Sequence, residues 1–433
     1  MAFGYVKQIR SANNLKKFKI AILGLGGRGC FFAECALKHT QVELVAVADL
    51  NISKLKKAHK EYGLSENACY NSADEFFSRG KIADAVFVCT QDRQHREHSI
   101  KAMQLGYDVC LEKPIAATEE DCNAIYAAQL QTNRKVMVCH VLRYSLFYAK
   151  LKEIIESGEI GDVVNISQTE NVGYWHNAHS YVRGPWRNSE QSSPMILAKC
   201  CHDLDILFWL LAKPCKSVSS YGDLYYFTRK NAPVGFAAHC IDCAPIVRAS
   251  CPYDCFKIYK DIYKAYNNPI VGNSTDFCGD MSHIDAILSD KSNPYSRCVF
   301  ACDNNVVDHQ VVNMLFEGNL TAQLTMTAFS KECHRNIKIH GTLGEIVGDM
   351  ENNIVQVLPF RADNYTVDLT QSNEDLSLHG GGDKLLFDDF VAYLQDGAPS
   401  ATRTTLQDSL LSHKMCFAAE YSRCNGGIPI KIK

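Results

Sequence analysis

The sequence predicts an α/β domain built on a doubly wound parallel sheet, followed by an α+β domain with a large open, mainly antiparallel sheet. Three observations predict it. Between Phe18 and His140, short and nearly continuous apolar runs alternate with helical patterns, as expected of parallel strands buried on both faces and linked by crossover helices. A glycine-rich turn, Gly24-Leu25-Gly26-Gly27-Arg28-Gly29, joins the first strand to the first helix. Beyond Leu142 the rhythm changes to longer alternating strands joined by hairpin signals.

The first domain is expected over 17–141, after a basic tail at 1–16. Its strands read at 18–23, 42–48, 85–90, 108–111 and 135–139, with helical patterns at 52–62, 95–105 and 119–131 between them. On such a sheet, ligands bind outside the carboxyl ends of the strands. The second domain is expected over 142–433. Strand patterns at 306–316 and 320–328 flank Glu317-Gly318-Asn319 as a hairpin, and 337–340 and 345–347 flank the turn 341–344. Patterns at 163–168 and 218–226 extend this sheet, and helical patterns at 385–394 and 405–421 close the chain.

The glycine turn has a physical reading in this context. Gly24 allows a tight turn, Gly26 lets backbone approach a pyrophosphate, and Gly29 lets helix pack close against strand. Gly27 and Arg28 open the helix, whose N-terminus offers free N–H groups to phosphates. Asp49 ends the second strand and can accept hydrogen bonds from a ribose. A carboxylate there repels a 2′-phosphate, and Leu50-Asn51 brings no Arg to hold one, so NAD is expected over NADP. Glu112-Lys113-Pro114 follows another strand end. A lysine at that depth is costly without a task or a partner, and burial tunes it readily for proton transfer.

The chain resembles the Gfo/Idh/MocA family of NAD(P)-dependent sugar and cyclitol oxidoreductases. The matching pieces are the glycine turn, Thr90-Gln91-Asp92-Arg93-Gln94-His95, Glu112-Lys113-Pro114 and His202-Asp203-Leu204-Asp205. The resemblance implies a Rossmann domain over 17–141 and catalytic roles for Lys113 and His202. It puts Thr90, Gln91, His95 and Glu112 at the cofactor, Asp205 at the substrate pocket, and a cis bond before Pro114. One departure stands out: many members carry an Asp where this chain has Ala198. Lys199 follows it, three residues from His202, and is expected to share a helix face with it and keep the imidazole neutral.

Residues 174–187 are dense in aromatics, His and Arg. His176, His179, Arg183 and Trp186 are expected substrate contacts, with Arg143 and His379 as further candidates. The other reading is a loop packing its own aromatics. Residues 231–297 look like a Cys-rich insertion, in which Cys240, Cys243 and Cys251 are either ligands of a structural zinc or ordinary free thiols.

With 46% hydrophobic and 21% charged residues, the composition is that of a globular chain, and a net charge of −3 argues against nucleic-acid binding. No apolar run approaches the ~18 residues of a membrane span. Twenty cysteines without a secretory leader read as thiols of a reducing cytosol. The leading expectation is a cytoplasmic, homo-oligomeric (dimeric or tetrameric) NAD-dependent enzyme that oxidises a secondary alcohol of a sugar, cyclitol or glycoside. Two alternatives stand beside it: glycoside cleavage through a transient oxidation–elimination–reduction cycle, and a non-enzymatic NAD-responsive regulator.

Overall fold

The computed structural model describes residues 17–266, 281–371 and 377–432. The expected tail 1–16 and part of the insertion lie outside these residues. Six parallel strands form the first sheet: β1 (Phe18–Leu23), β2 (Val42–Ala48), β3 (Cys69–Tyr70), β4 (Ala85–Val88), β5 (Asp108–Leu111) and β6 (Val136–Val138). Their order, β3-β2-β1-β4-β5-β6, reverses direction at β1 and β4, and such a switch point opens a crevice for a ligand. β3 has only two residues, too few to show a period. Ile20, Ile22, Phe87 and Cys110 face one apolar layer, and Ala21, Leu23, Val86 and Val109 face the other, which is why these strands read as unbroken apolar runs.

Both layers are completed by the end of the chain. Helix Gly382–Leu394 lays Leu386, Phe387 and Phe390 on the first layer, where Phe387 stacks on Phe32 and Phe87. Helix Leu406–Cys424 inserts Leu406 and Leu410 into the second. The last helix also sends Met415, Cys416 and Ala419 into the core of the second sheet, so it is shared between the two.

The second sheet has nine strands: β7 (Val163–Asn171), β8 (Cys215–Asp223), β9 (His309–Phe316), β10 (Thr321–Thr327), β11 (His334–Gly341), β12 (Gly344–Asp349), β13 (Ile354–Pro359), β14 (Tyr365–Asp368) and β15 (Ile430–Lys431). The order is β14-β13-β12-β11-β7-β10-β9-β8-β15, antiparallel except for β7 beside β10. Alternation sends Ile166, Leu324, Met326 and Ile339 into a core shared with helices Leu146–Ser157 and Cys201–Leu211. Ser167, Thr169, Lys338 and Gln356 point to an open polar face. Among the described residues, no helix is long and apolar enough to cross a membrane.

Between β8 and β9 the chain builds a separate core from Phe227, Tyr253, Tyr259 and Tyr295. Arg183 lies at its centre with no exposed surface. Its Nε donates to the Arg297 carbonyl at 2.7 Å and a terminal nitrogen donates to the Tyr253 carbonyl at 2.7 Å. His179 stacks on Tyr295 with ring centroids 4.6 Å apart, and its Nδ1 lies 3.2 Å from the Tyr259 hydroxyl. Both residues hold the insertion to the segment that precedes it, which corrects their expected role as substrate contacts.

The zinc reading of Cys240, Cys243 and Cys251 is also corrected. Among the described residues, no group of three or more His, Cys, Asp or Glu is arranged to hold a metal ion. The cause is visible locally. The Arg183 guanidinium lies 3.7 Å from Cys240 Sγ, where it repels a cation. Cys243 Sγ accepts instead from the Ala237 N–H at 3.2 Å.

Candidate active site

The steric demands expected of Gly24 and Gly29 are present in the folded chain. Gly24 has φ +91°, and a Cβ on it would lie 2.5 Å from the Cys89 carbonyl. A Cβ on Gly29 would lie 1.9 Å from the Gly24 carbonyl, whereas one on Gly26 would meet nothing within 4 Å. Gly24 and Gly29 are therefore fixed by protein packing, and Gly26 leaves the backbone open towards the crevice. Asp49 buttresses the turn: its carboxylate accepts from the Leu25 N–H at 2.6 Å and from the Asn51 N–H at 2.8 Å. A cleft of about 320 Å³ runs from Gly24 and Gly26 past Asp49, Asp74, Thr90, Gln91 and Glu97. An open backbone next to a carboxylate at a switch point fits a dinucleotide. Gly29→Ala is expected to abolish dinucleotide binding, measured by titration calorimetry with NAD⁺, because the added methyl pushes helix away from turn. Undiminished affinity would show that the turn does not hold the phosphates.

Two expected cofactor contacts have other work. Arg28 is engaged by Glu112, whose Oε1 lies 2.6 Å from its Nε, and by Asp383 on the late helix. Its guanidinium lies over Phe32, 4.8 Å from the ring centroid. It braces β5 and the first helix against the end of the chain. His95 is only 1% exposed, and both ring nitrogens face backbone carbonyls, Pro114 at 2.7 Å and Thr90 at 3.0 Å. That leaves no nitrogen for a cofactor, so His95 clasps two loops to each other. Thr90 sits at the cleft with its hydroxyl 3.0 Å from His98 Nδ1.

The peptide before Pro114 is cis, as the resemblance implies. Lys113 reaches across to the second domain, where its Nζ donates to the Ala198 carbonyl at 2.8 Å. The residue standing in place of the family's Asp thus still meets the lysine, through its backbone. His202 lies in the first turn of helix Cys201–Leu211 and is 5% exposed. Burial, then Lys113, His140, His379 and Arg335, hold its pKa well below the ordinary imidazole value. The result is a neutral imidazole near a cation.

Lys199 does not share a helix face with His202, because the helix starts only at Cys201. Its Nζ pairs with Glu170 at 3.2 Å. Glu170 in turn pairs with Arg335 at 2.6 Å, and Arg335 with Asp203 at 2.9 Å. Burial first, and then the Lys113 ammonium, keep the imidazole neutral, and Lys199 is not among the charges that do so, which corrects the expectation for Lys199.

Arg143 and Asp205 satisfy each other with two parallel bonds of 2.7 and 2.6 Å and are both buried. They form an internal tie, which corrects their expected role as substrate contacts. Trp186 is half-buried and donates from Nε1 to Asp92 of the first domain at 3.2 Å. His176 lies 3.8 Å from Cys333 Sγ, and burial followed by the Lys199 charge holds its pKa well below the ordinary value. His379 comes from the far end of the chain, its ring centroid 6.0 Å from that of His202 and its Nδ1 2.8 Å from Asp383. Sequence reasoning missed Glu170, Arg335, His140 and His413. Only His140 carried a readable signal, its position at the carboxyl end of a parallel strand.

Two family models match the chain: the NAD-binding Rossmann fold of the GFO_IDH_MocA oxidoreductase family over residues 18–140, and the C-terminal alpha/beta domain of that family over 152–432. The chain belongs to the Gfo/Idh/MocA oxidoreductase family. It is an NAD-binding oxidoreductase, and its relatives are named oxidoreductase or inositol 2-dehydrogenase. It is 24% identical to the Bacillus subtilis (strain 168) protein YteT over 366 residues, 81% of this chain and 82% of YteT. It is 29% identical to inositol 2-dehydrogenase of Salmonella paratyphi B over 206 residues, 47% of this chain and 57% of that enzyme. The match therefore spans little more than half of the inositol dehydrogenase's length.

Among solved structures, the fold is similar to an oxidoreductase from Agrobacterium radiobacter in complex with NAD⁺, L-tartaric acid and magnesium (TM-score 0.68, 15% identity, 96% of this chain and 98% of that one). It is also similar to the WlbA dehydrogenase of Bordetella pertussis in complex with NADH and UDP-GlcNAcA (TM-score 0.66, 17% identity, 96% and 99%).

Proposed function

We propose that this Gfo/Idh/MocA member oxidises a secondary alcohol of a sugar or cyclitol, with His202 as the base and Lys113 as the group that holds the reacting oxygen. The observation that carries the reading is a neutral, buried imidazole beside an ammonium, both at the carboxyl end of the parallel sheet. NAD⁺, when bound in the cleft, supplies the hydride acceptor. His202 takes the hydroxyl proton. Lys113 donates to the same oxygen and stabilises the negative charge that grows there as the proton leaves. His176, His379 and the half-buried face of Trp186 are the side chains best placed around a polyol. Lys199, held by Glu170, is a further candidate for a substrate hydroxyl.

A screen of NAD⁺ reduction across sugars, inositols and glycosides tests the reading. Net NADH on addition of an alcohol substrate supports it. Glycoside turnover without net NADH would move the chain to the transient redox cycle, and silence across the screen would oppose both. NAD is expected to bind more tightly than NADP, because the cleft presents Asp49, Asp74 and Glu97 and neither Lys nor Arg lines it. Calorimetry with the two dinucleotides checks this, and Asp49→Ala should narrow the gap. Tighter NADP binding would overturn it.

A further inference from the structure

His140 follows β6 and has no exposed surface. It lies between two other histidines, its ring centroid 5.7 Å from that of His202 at 82° and 5.4 Å from that of His413 at 68°. Neither of its ring nitrogens has a hydrogen-bond partner among the described residues, and Nδ1 of His202 is likewise buried and unpartnered. His413 is not the missing partner. Its Nε2 accepts from the Ile115 N–H at 2.9 Å and its Nδ1 lies 2.7 Å from the Ser409 carbonyl, which commits it to one tautomer.

An imidazole buried with both nitrogens unpaired forfeits about 1–3 kcal/mol for each unsatisfied group. Buried polar groups of this kind are satisfied by ordered water where several face one space. Here three such nitrogens sit on two adjoining rings. Nε2 of His202, unlike Nδ1, is not among the buried unpartnered atoms, so Nδ1 is the nitrogen left to be satisfied inside the protein.

A neutral imidazole carries one proton, and the hydrogen bond made by one nitrogen decides which of the two keeps it. A base must have its bare nitrogen facing the substrate. We propose that His140 is a positioning residue for His202, holding through a buried water the tautomer that carries its proton on Nδ1 and turns a bare Nε2 to the substrate. The water accepts from His202 Nδ1–H and donates to one nitrogen of His140. This is the duty that a carboxylate performs in many acid–base pairs. The inference rests on His202 as the base, but its first readout does not depend on turnover.

The experiment is ¹⁵N spectroscopy of the full chain labelled at histidine, without and with NAD⁺. The expected spectrum shows His202 as a single neutral tautomer, protonated on Nδ1. His140→Phe, which keeps an aromatic ring but no nitrogen, should give a mixture of tautomers. His140→Asn, able to donate and accept, should restore the single form. In NAD⁺ reduction with myo-inositol as the probe, His140→Phe should lower kcat about tenfold with KM nearly unchanged, less than the ~10²–10⁴-fold loss expected for the base itself.

A wild-type His202 protonated on Nε2 would overturn the proposal without any variant, as would an unchanged tautomer in a folded His140→Phe. Loss of the base reading itself would show differently. His202→Gln would then keep its turnover while the spectra still reported how His140 and His202 are coupled.

Discussion

His202→Gln is expected to lower turnover by about 10²–10⁴-fold, the span of a lost general base, while NAD⁺ affinity changes little. Glutamine keeps the bulk of the side chain and a polar end but cannot take a proton. The pH profile carries the sharper test. Burial and then Lys113 hold the pKa of His202 well below the ordinary imidazole value of 6.5. A base works when deprotonated, so activity should stay flat from neutral pH down through that ordinary value and fall only below it. Lys113→Gln removes both the oxygen's hydrogen-bond donor and the charge that repels an imidazolium. It should lower turnover by a comparable factor and move the acidic limb upward, towards the ordinary range. Near-wild-type turnover in both variants would place the reacting centre elsewhere, and an unmoved limb in Lys113→Gln would separate Lys113 from His202.

The parts of this site that were legible in the sequence are those in which chemistry is local. Gly24 and Gly29 are legible because one turn between one strand and one helix demands them, and their steric reasons hold in the folded chain. Lys113 and His202 are legible as candidates through short motifs that the family resemblance picks out. Most of the misassigned candidates share a different feature. Arg183, Arg143 and Arg28 are charged residues near the pocket in sequence whose counter-groups lie 114, 62 and 84 residues away. A guanidinium that will be satisfied from so far off looks free until the chain is folded. His140 is the opposite case: it stands just past an apolar strand, and only the folded chain sets its ring beside those of His202 and His413. Lys199 was misread because three residues of spacing imply a common helix face only where the helix is continuous, and here it breaks at Lys199 and Cys200.

The same distance explains where the fold is most sensitive. Arg143 stands in the turn after β6 and Asp205 in the helix that carries His202, so their paired bonds of 2.7 and 2.6 Å tie the end of the first sheet to that helix. Side-chain exposures of 4% and 1% make this a desolvated pair. Asp205→Ala is expected to cost about 3–5 kcal/mol, the range for stripping one partner from a buried ion pair, because it leaves a guanidinium uncompensated beside His140. Arg143→Met with Asp205→Leu should recover most of that loss, since neither charge then remains to be desolvated. Burial alone would raise the Asp205 pKa, but the Arg143 guanidinium, helped by His140, overrides it and holds the carboxylate below its ordinary value of 3.8. A carboxylate depressed in the folded state stabilises fully above its unfolded pKa, and that stability is lost as pH falls through the lower folded value. The difference between wild type and Asp205→Ala should therefore be constant from neutral pH down to the ordinary carboxylate range and shrink below it. Urea unfolding at several pH values measures this difference. Equal midpoints at pH 7 would show that the pair does not hold the two sheets together, and a difference that grew on acidification would reverse the assigned sign.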